Sequence, residues 1–241
     1  MVRNASAFEE FAGIAAYLDE RMPSPHEMRA TIPRIVEESK TNSNAHMRYP
    51  EGAFLNTYIA PHLNGYLLEQ MGLNADEACR SLLSESYESL GGISSASPAR
   101  QEKHPFHKEM VGPASMLKIW HGEDLKKKEP ATQPCPDLAL RAPFPHACVV
   151  EGKYFVKETQ RAAETELVKT IYEAAYYLGL PSLEETKTHP AWQYDYACVI
   201  AYDTSDTGVL IQAWRELDER VRSACWEGGN VYVMILPITE G

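Results

Sequence analysis

Residues 147–156 read Ala-Cys-Val-Val-Glu-Gly-Lys-Tyr-Phe-Val, a β-rich run whose centre is interrupted by two charges. β-Branched and aromatic residues favour strands, so this run predicts a strand. Side chains alternate between the two faces of a strand, which places Glu151 and Lys153 on the same face, about 7 Å apart. Two charges stand where apolar side chains are expected, and this stretch is therefore the starting point for both the fold and the site.

A second strand is predicted just upstream, over residues 137–141, which read Asp-Leu-Ala-Leu-Arg. It is stopped by Pro143 and Pro145, because proline lacks the N–H that a strand ladder requires. The short connection between the two runs predicts a hairpin. Such a hairpin brings Asp137, at the start of the first strand, beside Glu151.

Helices and strands alternate after this hairpin. Apolar residues at helical spacing predict an amphipathic helix that ends near Gly179, since glycine is a common C-terminal cap. A nearly continuous apolar run at 196–202 is typical of a strand buried on both faces. The remaining predicted elements are a short strand at 116–120, a helix from Val209 to Val221 and a final strand at 231–238. This order predicts an α/β fold with a mixed β-sheet flanked by helices.

The first ninety residues predict helices instead. One begins near Phe8 and closes at Met22-Pro23, and a second covers residues 26–40 with a kink or break at Pro33. Asn74 and Glu77 form a capping-box pattern that opens a helix predicted to carry Leu82 and Leu83. The predicted organisation is a helical N-terminal region (1–92), a linker or loop (93–113) and a core (114–241).

Composition narrows the class of protein. The chain has 241 residues, five scattered cysteines without a CxxC pair, and a net charge of −11. Neither a disulfide framework nor a structural zinc site is expected, and a reducing cytoplasm is the predicted compartment. No apolar run is long enough to cross a bilayer, and the first residues do not resemble a signal peptide. The net negative charge opposes DNA binding, although the local field near a site matters more.

Burying two carboxylates and an ammonium together is costly without a partner. A divalent cation such as Mg²⁺ is the expected partner, because it prefers carboxylate oxygens and retained water, and Mn²⁺ is a substitute. Such an ion polarises a phosphodiester and lowers the pKa of bound water. Lys153 is then predicted to orient that water or to stabilise charge on the phosphate.

Pro136-Asp137, followed by Glu151-Gly152-Lys153 in an apolar strand, a helix and a buried strand, resembles the PD-(D/E)xK nuclease superfamily. That superfamily includes type II restriction endonucleases. The resemblance covers roughly residues 114–238 and implies that Asp137 and Glu151 are metal ligands and that Lys153 is the catalytic lysine. Many members add an acidic residue from a preceding helix. Glu51 is the predicted equivalent, with Glu69 and Glu77 as rivals.

The resulting hypothesis is a Mg²⁺-dependent endonuclease that hydrolyses DNA in restriction or defence and acts as a homodimer. One alternative is a catalytically inactive nuclease fold that binds DNA or serves in an assembly, and another is an interaction protein without a nucleic-acid role. The structural alternative is that Glu151 and Lys153 form an exposed pair on an edge strand. Three neighbouring lysines at 126–128 are either a DNA contact or a solvated loop. The segment that contains His104 and His107 is interpreted as a surface loop rather than a metal site. The sequence has no GxSxG motif, the local pattern of a nucleophilic serine.

Overall fold

The computed structural model describes residues 5–40, 46–84, 137–178, 194–219 and 230–238, together with residues 222 and 225. Several predictions of the sequence lie outside these residues. They are the linker at 93–113, the strand at 116–120, the histidines at 104 and 107, the three lysines at 126–128 and the helix cap at Gly179.

A five-stranded sheet organises the described residues. Its strands, in order across the sheet as well as along the chain, are β1 (Leu82–Ser84), β2 (Leu138–Leu140), β3 (Cys148–Phe155), β4 (Tyr196–Asp203) and β5 (Val231–Leu236). The first two pairings are antiparallel and the last two are parallel. This mixed sheet and its helices confirm the predicted α/β class.

Two helices cross between the parallel strands, as the sequence pattern predicts. They are α6 (Gln160–Leu178), between β3 and β4, and α7 (Val209–Glu216), between β4 and β5. The predicted order of strand, strand, helix, strand, helix, strand is therefore confirmed from β2 to β5. The last helix is shorter than predicted, because the chain turns to extended backbone at Leu217 (ψ 141°).

The N-terminal region is helical, as predicted, and precedes the sheet in the chain. Its helices are α1 (Ala5–Asp19), α2 (Pro25–Ser39), α3 (Pro50–Phe54), α4 (Ala60–Glu69) and α5 (Ala75–Ser81). A 3₁₀ turn (His46–Arg48) precedes α3, and a π-helical turn (Leu55–Ile59) joins α3 to α4. The predicted capping box of Asn74 and Glu77 is confirmed at the start of α5. The helix α2 runs through Pro33, so the predicted break does not occur there.

Each face of the sheet contributes to its own hydrophobic cluster. Side chains from α1 to α5 pack with Cys148, Val150 and Tyr154 of β3 on one face. Side chains from α6 and α7 pack with Val149 and Phe155 on the other face. Because alternate residues of β3 enter the two clusters, Glu151 and Lys153 belong to the face that carries α6 and α7. The helical N-terminal region therefore shares a hydrophobic core with the sheet.

Leu82 and Leu83 correct one sequence prediction. They were expected in the helix that begins after Asn74, but α5 ends at Ser81 and the chain becomes extended at Leu82 (φ −98°, ψ 116°). Leu82 pairs with Leu140 and Leu83 with Ala139, in antiparallel register. Their local apolar spacing is compatible with a helix, but pairing with β2 and burial of Leu82 decide in favour of a strand.

Two of the cysteines lie in the core. Cys148 and Cys198 are both fully buried in the strands β3 and β4, where they act as small apolar side chains. In the portion of the chain that the structure describes, no helix combines the length and the apolar character that a membrane crossing needs.

Asp203 at the end of β4 caps the following turn and helix. Its carboxylate is buried and accepts the N–H groups of Ser205 (2.9 Å) and Leu210 (2.7 Å). We expect Asp203→Ala to lower the free energy of unfolding by about 1–3 kcal/mol, because the buried N–H of Leu210 and the partly buried N–H of Ser205 lose their acceptor. Urea unfolding measures this change. The control is Asp206→Ala, which removes an exposed ion pair with Arg29 and should cost less than about 1 kcal/mol. Equal losses in the two variants would contradict the capping role.

Candidate active site

The β2–β3 hairpin brings Asp137 and Glu151 together. Its register pairs Leu138 with Val150, so the residues just beyond this pair, Asp137 and Glu151, are neighbours. The backbone N–H of Asp137 donates to Oε1 of Glu151 at 3.3 Å. The juxtaposition expected from the hairpin is therefore present.

In the part of the chain that the structure describes, no strand pairs with this edge of β3 where the two carboxylates meet. Among the described residues, pairing with β2 ends at Val150, whereas pairing with β4 continues to Phe155. The N–H of Gly152, just past the last β2 pair, donates to Oδ2 of Asp137 at 2.8 Å. The Asp137 carboxylate thus replaces a strand neighbour, and this hydrogen bond holds it against β3.

Glu51 joins this edge from the helical layer. It lies in the first turn of α3, directly after Pro50, and its Oε2 accepts a hydrogen bond from Nζ of Lys153 at 2.8 Å. Proline suits the first turn of a helix because the N–H it lacks has no intrahelical acceptor there. The Lys153 side chain is 16% exposed and that of Glu51 is 40% exposed, so the ammonium is largely removed from water while the carboxylate is in contact with it. Of the three acidic residues considered, Glu51 is the one that contacts Lys153.

Gly152 permits the close approach of α3 to β3. A Cβ at Gly152 would lie 2.3 Å from Cδ2 and 3.0 Å from Cγ of Leu55, which follows α3. Leu55 begins the π-helical turn, and buried Asn56 in that turn donates to the carbonyl oxygen of Gly52 at 2.7 Å. The middle residue of the Glu-Gly-Lys triplet therefore lets the element that carries Glu51 pack directly on the strand that carries Lys153.

Glu173 is a fourth acidic residue at the site, and the sequence analysis did not identify it. It lies on α6, beside buried Ala174, and its charge acts on both Glu151 and Lys153. The polar residues Gln160, Arg161 and Glu164 in the first turns of this helix are exposed, and Gln160 donates to Glu216. The signal in the sequence that could have identified Glu173 is a charged residue that borders the apolar stripe of α6.

Negative charges act on both Glu151 and Lys153. Asp137 and Glu173 interact electrostatically with both residues, and Glu51 interacts with Lys153. Burial, followed by the charges of Asp137 and Glu173, raises the pKa of Glu151 well above its ordinary value, although Lys153 acts in the opposite direction. Burial disfavours the charged form of Lys153, but the carboxylates outweigh it and raise the pKa of this lysine. Lys153 therefore stays charged, whereas ionisation of Glu151 is opposed until more positive charge is supplied.

Glu69, Glu77 and His146 serve other parts of the fold. Glu69 accepts hydrogen bonds from Tyr17 (2.8 Å) and Arg21 (3.4 Å). Glu77 caps its own helix. His146 lies at the opposite end of β3, where it contacts Glu10. None of these three arrangements involves Lys153, so the choice of Glu51 over its rivals agrees with the geometry.

Asp137 and Glu151 suit a hard divalent cation. A carboxylate has about four acceptor positions, and a backbone N–H occupies one position on Oδ2 of Asp137 and one on Oε1 of Glu151. Mg²⁺ commonly takes one or two protein carboxylates and keeps several waters. Within the described ranges, no group of three or more His, Cys, Asp or Glu side chains is arranged to hold a metal ion. A metal site of two protein carboxylates, with water as the other ligands, agrees with the preference of Mg²⁺ and with the lack of a group of three ligands in those ranges. Glu51 is not counted as a ligand, because it is directed to Lys153.

Comparison of the chain with protein-family models, with curated proteins and with solved structures finds no match. The function has therefore to be argued from the site itself.

Proposed function

We propose that this chain is a divalent-metal-dependent nuclease of the PD-(D/E)xK type that hydrolyses phosphodiester bonds in DNA. The observation that carries this proposal is the proximity of Asp137 to Glu151 and Lys153 on β3, just beyond its last described pair with β2, with Glu51 bound to the lysine. A purely structural ion pair needs one carboxylate for one ammonium. Burial of Glu151 beside the charges of Asp137 and Glu173 opposes its ionisation, which favours a site that takes up positive charge instead.

Asp137 and Glu151 are the proposed metal ligands. When bound, Mg²⁺ supplies polarisation of a phosphoryl oxygen and lowers the pKa of a coordinated water. The hydrogen bonds at Asp137 and Glu151 restrict both carboxylates, so little ordering remains for the ion to impose. Added positive charge also reverses the repulsion between carboxylates that opposes ionisation of Glu151.

Lys153 is the proposed electrostatic catalyst. Its Nζ has three donors, of which Glu51 uses one in the described geometry. The two other N–H groups suit a phosphate oxygen or the attacking water. Because carboxylates hold Lys153 in its charged form, it stabilises the negative charge that grows on the phosphate in the transition state. Glu51 is a positioning residue, since it acts through this lysine.

The acidity of the chain has a specific consequence under this proposal. A DNA phosphate that approaches a cluster of carboxylates is repelled, and bound metal must offset that repulsion. DNA binding at this site should therefore depend on divalent cations and weaken steeply with salt. A role in restriction or defence is part of the proposal. So is a homodimer, since cutting both strands of a duplex calls for two sites.

Lys153→Met tests the catalytic role of the lysine separately from metal binding. We expect calorimetry to show Mg²⁺ binding by this variant, because both proposed ligands remain. Plasmid nicking should fall about 10²–10³-fold, the loss typical of removing one donor to a developing negative charge. The control is Lys157→Met, which removes an exposed lysine just beyond the same strand. It should cleave like wild type, and thermal unfolding should establish that both variants fold.

Equal cleavage by Lys153→Met and wild type would contradict the catalytic role. The alternative is a nuclease fold that binds DNA without cutting it, and the engagement of Lys153 by Glu51 is the observation that favours it. Under that alternative, folded wild-type protein retains DNA, neither nicks it nor binds Mg²⁺, and the proposed function fails.

A further inference from the structure

A second set of reactive side chains lies at the other end of β3. His146 sits in the turn before this strand, five residues from Glu151, which corresponds to about 16 Å of strand. Nε2 of His146 is 3.1 Å from Oγ of Ser6, and its Nδ1 is 3.1 Å from Oε2 of Glu10. Ser6 and Glu10 both belong to α1. A hydroxyl, an imidazole and a carboxylate are thus hydrogen-bonded in series.

The carboxylate of this series is firmly oriented. The Glu10 side chain is only 7% exposed, and its second oxygen, Oε1, accepts the hydroxyl of Tyr196 at 2.9 Å. Tyr196 is fully buried and packs against the ring of Tyr232. Both oxygens of Glu10 therefore have fixed partners, and Oε2 is directed at His146.

This orientation selects the tautomer of His146. An ionised carboxylate only accepts hydrogen bonds, so Nδ1 carries the hydrogen that it donates to Glu10. Nε2 of the neutral ring is then an acceptor, and it accepts the hydroxyl hydrogen of Ser6. A serine that donates to a histidine held by a carboxylate is the arrangement that activates serine as a nucleophile.

The position of Ser6 adds a means of stabilising negative charge. Ser6 is exposed and lies in the first turn of α1, which contains no acidic residue. The first four N–H groups of a helix have no intrahelical acceptor, and the positive end of the helix dipole is located there. An oxyanion that forms on a group bonded to Ser6 therefore develops beside backbone donors.

We propose that Ser6, His146 and Glu10 form a second active site that transfers acyl groups from carboxylic esters to water. Ser6 is the nucleophile, His146 the general base and Glu10 the positioning residue. This site requires no metal and is independent of the proposed nuclease function.

The reaction balances with water as the only co-reactant. Oγ of Ser6 bonds to the acyl carbon while its proton passes to Nε2 of His146. The bond between the acyl carbon and the alkoxy oxygen then breaks, and the imidazolium returns the proton to the departing alcohol. Water attacks the acyl-serine in the same manner, which releases the carboxylic acid and restores the Ser6 hydroxyl.

Labelling with a fluorophosphonate probe in the presence of a chelator tests this site. The probe forms a phosphorus–oxygen bond to an activated serine with loss of fluoride. Peptide mass spectrometry is expected to find the label on Ser6. Ser24 is an internal control, because it is an exposed serine that starts a helix and contacts a carboxylate but has no histidine in its capping arrangement. It should remain unlabelled.

Two variants decide the role of the base. His146→Gln should slow the labelling about 10²–10⁴-fold, the usual contribution of a general base, and Glu10→Gln should slow it as well. Hydrolysis of p-nitrophenyl acetate should fall in parallel and vanish in Ser6→Ala, while plasmid nicking stays unchanged. Absence of label on Ser6 in wild type would overturn the proposal. A second result would also overturn it: a His146→Gln or Glu10→Gln variant that has the same unfolding temperature as wild type and is labelled as fast as wild type.

Discussion

Glu151→Gln is expected to abolish DNA cleavage and, at the same time, to stabilise the metal-free protein at neutral pH. The loss of a proposed metal ligand should reduce plasmid nicking about 10³-fold or more and remove the calorimetric signal of Mg²⁺ binding. The free energy of unfolding without metal should rise by about 0.5–2 kcal/mol, the range of single stabilising substitutions. A substitution that lowers activity and raises stability indicates that the original residue is retained for function.

The stability gain follows from the direction of the pKa shift. The pKa of Glu151 is higher in the folded protein than in the unfolded chain, chiefly because of burial and the carboxylates of Asp137 and Glu173. Folding therefore favours the protonated form. The stabilisation is fully present below the unfolded pKa, and it is lost as pH rises through the folded value. Glutamine is neutral at every pH, so the variant avoids this loss.

Urea unfolding with a chelator, at a series of pH values from 4 upward, measures the effect. The difference in stability between Glu151→Gln and wild type should grow as pH rises. The matched control is Glu164→Gln, which makes the same change at an exposed position on α6 and should alter neither activity nor stability. A Glu151→Gln variant that is destabilised at neutral pH would contradict the electrostatic origin of the shift. A variant that cleaves DNA would contradict the role as a ligand.

Gly152→Ala is expected to damage both the fold and the site. Its Cβ would lie 2.3 Å from Cδ2 of Leu55, and Leu55 is only 7% exposed, so space must be made within a packed core. Overpacking of this kind costs about 1–3 kcal/mol. The movement needed to relieve it separates α3 from β3. It thereby shifts Glu51 relative to Lys153, and a shift of about 1 Å at a catalytic group can lower the rate about 10²-fold.

Leu55→Ala is the compensating substitution for this prediction. It removes the atoms that the new Cβ would meet, so the double variant should be more stable than the sum of the two single changes implies. The cycle is measured by urea unfolding, with nicking assayed on all four proteins. Additive losses would show that the contact between Gly152 and Leu55 does not limit the approach of α3 to β3.

Local sequence patterns were sufficient for the centre of the fold and for the chemical trio. Alternation along residues 147–156 predicted a strand with Glu151 and Lys153 on one face, and the proline-terminated run before it predicted the hairpin. Both predictions depend on contacts between residues that are close in the chain. The helical spacing that identified α6 and α7 is equally local. The position of Asp137 beside Glu151 was therefore predictable without any tertiary information.

Contacts across long stretches of chain were decided only by the tertiary structure. Leu82 and Leu83 have an apolar spacing that a helix also satisfies, and only the available edge of β2 makes them a strand. Glu51 was one of three acidic candidates until Gly152 and Leu55 set the position of α3 on β3. Glu173 became a site residue through the packing of α6 on the sheet.

The cluster of Ser6, Glu10 and His146 shows the same limit most clearly. Ser6 and Glu10 are one helical turn apart, but His146 is 140 residues beyond Ser6 and carries no motif that connects it to them. The sequence by itself determined the strands β2 to β5, the hairpin and the Asp-Glu-Lys trio, because periodicity and turn residues act over a few positions. The tertiary structure determined which distant side chains complete each site, because burial on either face of the sheet selects one packing among many that the local patterns allow.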